Sequence, residues 1–173
     1  MDKDFVISDD NVLFGYTGKD KKVVIPDGVV EIGAFAFYDC RSLEDVVLPS
    51  SVKQIGSSAF ARCENLKNVL MSEDIEIIEN EAFFNCLNLE NVIIPSSIKK
   101  IDSYAFSRCK SLESIIIPDS VEYLGKDVFN GCSSLESVTI PKKFMSNIGD
   151  ILGDCYNLSN ITFTKNKVRN RSI

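Results

Sequence analysis

The chain has 173 residues, 45% of them hydrophobic and 25% charged, which are the proportions of one ordinary folded domain. Its formal net charge is −6, and Lys165, Lys167, Arg169 and Arg171 stand in an acid-free final stretch, so removing those four positive charges leaves the preceding body at −10. An acidic body excludes the concentrated basic stripe of a nucleic-acid groove, and no run reaches the roughly 18 apolar residues that a bilayer span requires.

The start, Met1-Asp2-Lys3-Asp4, lacks the basic region and apolar core of a signal peptide. The expected compartment is cytoplasmic for the chain as written, and the secreted or cell-surface space if it is a fragment of a longer protein. Phe5-Val6-Ile7 and Val12-Leu13-Phe14 flank Asp9-Asp10-Asn11, the pattern of a β-hairpin within residues 1–21. Asp2, Asp4, Asp9 and Asp10 crowd this end without the spacing of a calcium loop, and read as a solvated cap.

From Lys22 onward one period governs the chain. Cys40, Cys63, Cys86, Cys109, Cys132 and Cys155 are spaced 23 residues apart, and Pro26, Pro49, Pro95, Pro118 and Pro141 keep the same 23-residue grid with Ser72 in the gap. Leu43, Leu66, Leu89, Leu112, Leu135 and Leu158 follow each Cys by three residues. Phe37, Phe60, Phe83, Phe106 and Phe129 precede it by three, with Leu152 in the last copy.

Within each unit Val46-Val47-Leu48, Val69-Leu70-Met71, Val92-Ile93-Ile94, Ile115-Ile116-Ile117 and Val138-Thr139-Ile140 read as strands. The Pro or Ser after each run suits a strand end, because proline has no N–H to give to a ladder. A second apolar pair follows, as in Val52/Ile55 and Ile98/Ile101, and then often a glycine, Gly33, Gly56 or Gly125. These glycines are expected at tight corners that need unusual backbone angles. Each unit is therefore one coil of strand, turn, short extended piece and corner, and stacked coils bury what one coil cannot. The reading predicts a β-rich solenoid of six to seven coils over 22–164 and a basic, flexible tail over 165–173. In the last copy, Ile148-Gly149 arrives one residue late.

The stretch from Leu43-Glu44-Asp45-Val46-Val47-Leu48-Pro49 through Val52, Ile55-Gly56 and Ala59-Phe60 to Cys63 resembles the BspA-like leucine-rich repeat position by position. The likeness covers about 22–163. It implies a parallel sheet on one concave face, short extended or helical turns elsewhere, an N-terminal cap over 1–21, and adhesion or protein-binding roles with varied partners.

Chemistry has little to work with. There is no histidine, which removes the side chain that titrates near neutrality and most triads and metal sites with it. Structural zinc favours closely spaced Cys pairs, whereas these cysteines are spaced uniformly. A ladder of buried free thiols acting as small hydrophobes is the leading reading, with disulfides between stacked neighbours and metal or catalytic use as the alternatives. Glu44, Glu90, Glu113 and Glu136, interrupted by Lys67, form a solvated acidic row rather than a catalytic pair, because a repeat gives each copy the same environment. Neither an enzyme nor a cofactor or metal is expected.

If Val46 and Leu48 point inward, alternation turns Val24, Val47, Leu70, Ile93, Ile116, Thr139 and Thr162 outward in one column, with Lys22, Asp45, Asn68, Asn91, Ser114, Ser137 and Asn160 beside it. Five apolar members in succession suggest a partner-binding stripe. The competing reading is that β-branched residues merely suit strands, or that other chain covers them. Val47, Leu70, Ile93, Ile116, Asp45, Asn68, Asn91 and Ser114 are the candidate contacts for an unknown protein partner. The alternative is a scaffold element whose partner is a second copy, meeting it at the stripe or at the uncapped C-terminal edge.

Overall fold

A computed structural model describes residues 3–164, and the tail predicted over 165–173 lies outside the described residues. The chain opens with two antiparallel strands, β1 (Phe5–Ile7) and β2 (Val12–Tyr16). Short strands then follow in order: β3 (Lys22–Val24), β4 (Glu31–Ile32), β5 (Asp45–Val47), β6 (Gln54–Ile55), β7 (Asn68–Leu70), β8 (Ile77–Ile78), β9 (Asn91–Val92), β10 (Lys100–Ile101), β11 (Ser114–Ile116), β12 (Tyr123–Leu124), β13 (Ser137–Pro141) and β14 (Asn160–Thr164). Most strands of the first sheet begin one residue before the stretches expected from sequence, because the outward polar residue also joins the ladder.

Successive strands alternate between two parallel sheets, which makes the molecule a β-solenoid of about seven turns. One face carries β3, β5, β7 and β9, then β11, β13 and β14. The short extended pieces form a second parallel sheet, β4-β6-β8-β10-β12, and β2 pairs alongside β4, so the hairpin closes this second sheet at its N-terminal end. Strands in strict register, such as Val46 beside Val23 and Val69, place equal residues above one another. After β13 the second sheet is not continued: a 3-10 helix over Lys142–Asn147 and α1 (Ile148–Ile151) occupy the place where the Ile-Gly pair is displaced.

The repeat's apolar positions meet in the core between the sheets. Phe37, Phe60, Phe83, Phe106 and Phe129 stack with ring centroids 4.9 to 5.7 Å apart. Tyr16, 5.1 Å from Phe37, and Phe5, 5.2 Å from Tyr16, extend the column into the cap. Cys63, Cys86, Cys109 and Cys132 are buried free thiols. Each S–H donates to the carbonyl of the Phe 26 residues earlier, at 3.0 Å for Cys63 to Phe37 and 3.1 Å for Cys86 to Phe60. Burial is the largest cause pushing these thiols up from their ordinary range, to about 12 for Cys132, so they stay protonated at neutral pH and donate rather than attack.

The corner between the sheets corrects the expectation about glycine. Two residues per coil adopt positive φ, four apart: Phe35 and Asp39, Ser58 and Arg62, Glu81 and Asn85, Tyr104 and Arg108, Asp127 and Gly131. Nearly all carry side chains, and Gly33, Gly56 and Gly125 are not among them. The left-handed residues let successive N–H groups alternate between acceptors: Ala36, Tyr38 and Cys40 bond within the coil, whereas Phe35, Phe37 and Asp39 bond to the next one. Every amide from Phe35 to Cys40 is thus paired, which offsets the roughly 1 to 2 kcal/mol that a side chain costs in the left-handed region. Glycine serves close approach instead, since a Cβ on Gly56 would stand 2.8 Å from the Ile32 oxygen and 2.9 Å from the Ala34 nitrogen.

Candidate interaction surface

The alternation of the first sheet turns one apolar residue per coil away from the core. Val24, Leu70, Ile93 and Ile116 are 67, 61, 78 and 66% exposed, while their chain neighbours Val23, Val69, Val92 and Ile115 are buried. Val47 and Thr139 are half-buried and Thr162 is exposed, so the column's accessibility dips at the second coil. Among the described residues no other segment covers the four exposed positions.

Beside it runs a polar column tied together from coil to coil. Lys22 Nζ lies 3.1 Å from Asp45 Oδ2, Asn68 Nδ2 donates to Asp45 Oδ1 at 2.7 Å, and Asn91 Nδ2 donates to Asn68 Oδ1 at 3.4 Å. The Asn68 bond, and then the bond from Lys22, hold the Asp45 carboxyl below its ordinary range. Ser114 is exposed and Ser137 half-buried further along the same line.

The acidic row is not uniform. Glu44 accepts Lys21 at 2.7 Å and Lys67 at 3.4 Å, and those two bonds hold its carboxyl below the ordinary range. Glu90, Glu113 and Glu136 are exposed and form no ion pair among the described residues. One rim of the face is therefore neutralised over the first coils and anionic over the fourth to sixth.

The face is also interrupted. β9 and β11 occupy adjacent coils but are not hydrogen-bonded, which splits the sheet into four strands and three. The bonds that join the coils on either side, Glu90 N–H to Lys67 O at 3.1 Å and Glu136 N–H to Glu113 O at 2.9 Å, have no equivalent from Glu113 to Glu90, and the bond that Leu48 N–H makes to Leu70 O at 2.9 Å has none from Ile94 to Ile116. A cleft opens there, lined by Glu90, Asn91, Ile93, Ser114 and Ile116. The second sheet and the Phe column pass this level unbroken. Nothing in the repeat signals the gap, because Asn91-Val92-Ile93-Ile94 and Ser114-Ile115-Ile116-Ile117 both fit the strand pattern.

At the C-terminal end the core positions lose their cover. Ile161 is 42% exposed, and Leu152, Cys155, Leu158 and Phe163 are only half-buried, whereas the corresponding Val138 and Leu135 of the coil before are fully inside; beside them Tyr156, at a repeat position that no coil buries, is 80% exposed.

Stacked 23-residue coils with a strand face, a Leu-Phe-Cys core and a capping hairpin define a leucine-rich repeat solenoid. A family profile described as the BspA type leucine rich repeat region matches six copies over residues 10–110 and 55–172, and the chain belongs to that family. The comparison with curated proteins returned no match. Among solved structures, the leucine-rich repeat protein of T. pallidum is 32% identical with a TM-score of 0.82, over 95% of this chain and 81% of that one. A leucine-rich cell surface protein from Faecalibacterium prausnitzii is 30% identical with a TM-score of 0.62, over 90% of this chain and 36% of that one. The pneumococcal vaccine antigen PcpA shares the fold at 23% identity and a TM-score of 0.58, again over 36% of its length. This chain thus spans most of the first relative and little more than a third of the other two.

Proposed function

We propose that this chain is a non-catalytic protein-binding module that engages its partner through the outward column of the first sheet. The supporting observation is the accessibility of Val24, Leu70, Ile93 and Ile116, four large apolar side chains aligned on one face and bordered by a bonded polar column. Exposed apolar side chains in such a contiguous line are what interaction surfaces present and what isolated soluble domains avoid. The adhesion form of this reading draws on the F. prausnitzii relative, a cell surface protein.

The double variant Leu70→Asp/Ile93→Asp tests it in affinity capture from source-cell extract, paired with light scattering. A monomeric wild type whose captured protein disappears in the folded variant agrees with the proposal. Capture that is unchanged by the variant rejects it. A second reading, self-association through the last coil, is favoured by the exposure of Ile161 and Tyr156; it requires a dimer in light scattering that Ile161→Asp makes monomeric.

A further inference from the structure

We infer that the occupant of this face is an amphipathic α-helix of a partner protein, basic along one flank, lying along the solenoid axis with an apolar side chain seated in the cleft between β9 and β11. The inference rests on the binding-module reading above and specifies the partner's chemistry.

Spacing selects the helix. The parallel strands of this face pair coil to coil, which spaces them about 4.8 Å apart, so the apolar column offers one anchor about every 5 Å along the axis. A helix whose apolar residues recur every 3.5 positions places one roughly every 5.3 Å, and so stays near register across all five coils. An extended segment offers one side chain to the same face about every 6.7 Å and drifts by a full coil within about four steps. A helix of about 16 residues spans the face from Val24 to Thr139, the coil that Glu136 opens.

Charge selects the flank. The rim beside the first coils is already neutralised by Lys21 and Lys67 on Glu44, and by Lys22 on Asp45. Glu90, Glu113 and Glu136 offer three carboxylates on successive coils with no cation on them among the described residues. Lys or Arg at the matching turns of a helix would meet them at the rim, where such pairs contribute mostly to orientation and encounter rate.

The cleft supplies the anchor. It gives the face depth between β9 and β11 and is lined by Ile93, Ile116, Glu90, Asn91 and Ser114. A side chain buried in a pocket of an apolar strip is the arrangement of an interface hot spot, and this one lies toward the C-terminal end of the strip, on the coils that carry Glu90 and Glu113.

The test is selection from a random 16-residue displayed peptide library on the wild-type chain, with sequencing, circular dichroism of the binders free and bound, and affinities in low and high salt. The expected binders carry apolar residues every three to four positions and Lys or Arg on one side, and gain helicity on binding. They lose tenfold or more in affinity against Ile93→Asp, and several-fold against Glu90→Lys/Glu113→Lys/Glu136→Lys, a set of exposed positions whose fold is checked by its unchanged circular dichroism. Binders with period-two patterns that still depend on Ile93 overturn the helix while sparing the binding face. Binders indifferent to the charge reversal overturn the basic flank. Binders indifferent to Leu70→Asp/Ile93→Asp, or no enrichment at all, overturn both the helix and the binding face.

Discussion

Ile94 and Ile93 are consecutive, chemically identical and directly after β9, yet one is 7% and the other 78% exposed. The same contrast separates the inward column Val23, Val46, Val69, Val92 and Ile115 from the outward Val24, Leu70, Ile93 and Ile116. Residue type therefore does not distinguish the core of this protein from its candidate surface; strand alternation does. The inward column, with the Phe and Cys ladders, holds the coils together, while the outward one lies open to solvent.

The largest expected effect lies deepest on the inward side. Phe83→Ala, with Phe60 and Phe106 stacked on both faces, should lower stability by about 3 to 5 kcal/mol in denaturant unfolding. Leu152→Ala, at the half-buried equivalent position of the last coil, should cost only about 1 to 2 kcal/mol. Equal costs would mean that the end coil is as well covered as the middle.

Coil-to-coil contact can be challenged at glycine. Gly56→Ala pushes a methyl group onto two backbone atoms of the previous coil and should cost about 1 to 3 kcal/mol, whereas Gly149→Ala, with open space around its Cβ, should be close to neutral. At the left-handed Arg62, φ 64°, a β-branched residue is disfavoured and glycine is not, so Arg62→Val should unfold about 1 kcal/mol more easily than Arg62→Gly.

The thiol ladder should show in pH. Burial raises Cys132 to about 12 and Cys155 to about 11, while an unfolded thiol titrates near about 8.5. Because the folded values are raised, the stability they contribute is fully present below the unfolded value and declines as pH climbs from there toward the folded values. The melting temperature should fall between pH 8.5 and 11, less steeply in Cys132→Ala; equal slopes would show that Cys132 plays no part in the decline.

The outward column completes the contrast with the smallest effect. Leu70→Asp/Ile93→Asp should change unfolding free energy by no more than about 0.5 kcal/mol per site, since neither side chain is packed. A loss of several kcal/mol would move the column from surface to core and end the binding proposal.

The sequence by itself determined the coil, its length and its interior. A 23-residue recurrence of Leu, Phe, Cys and Pro leaves one way to bury equal residues together, which is to stack them, so the Phe and Cys ladders followed directly. Strand alternation alone likewise turns Leu70 and Ile93 outward. Only the tertiary structure decided how the corners are made and where the repeats cease to be equivalent. Left-handed residues such as Phe35 and Tyr104 have no signature of their own, because their conformation is fixed by amide bonds to the neighbouring coil. The same holds for Tyr16 joining the Phe column, for the uneven neutralisation of the acidic row, and for the gap between β9 and β11. Each depends on contact between residues about one coil apart, and a pattern that repeats in sequence cannot record where one copy meets its neighbour differently.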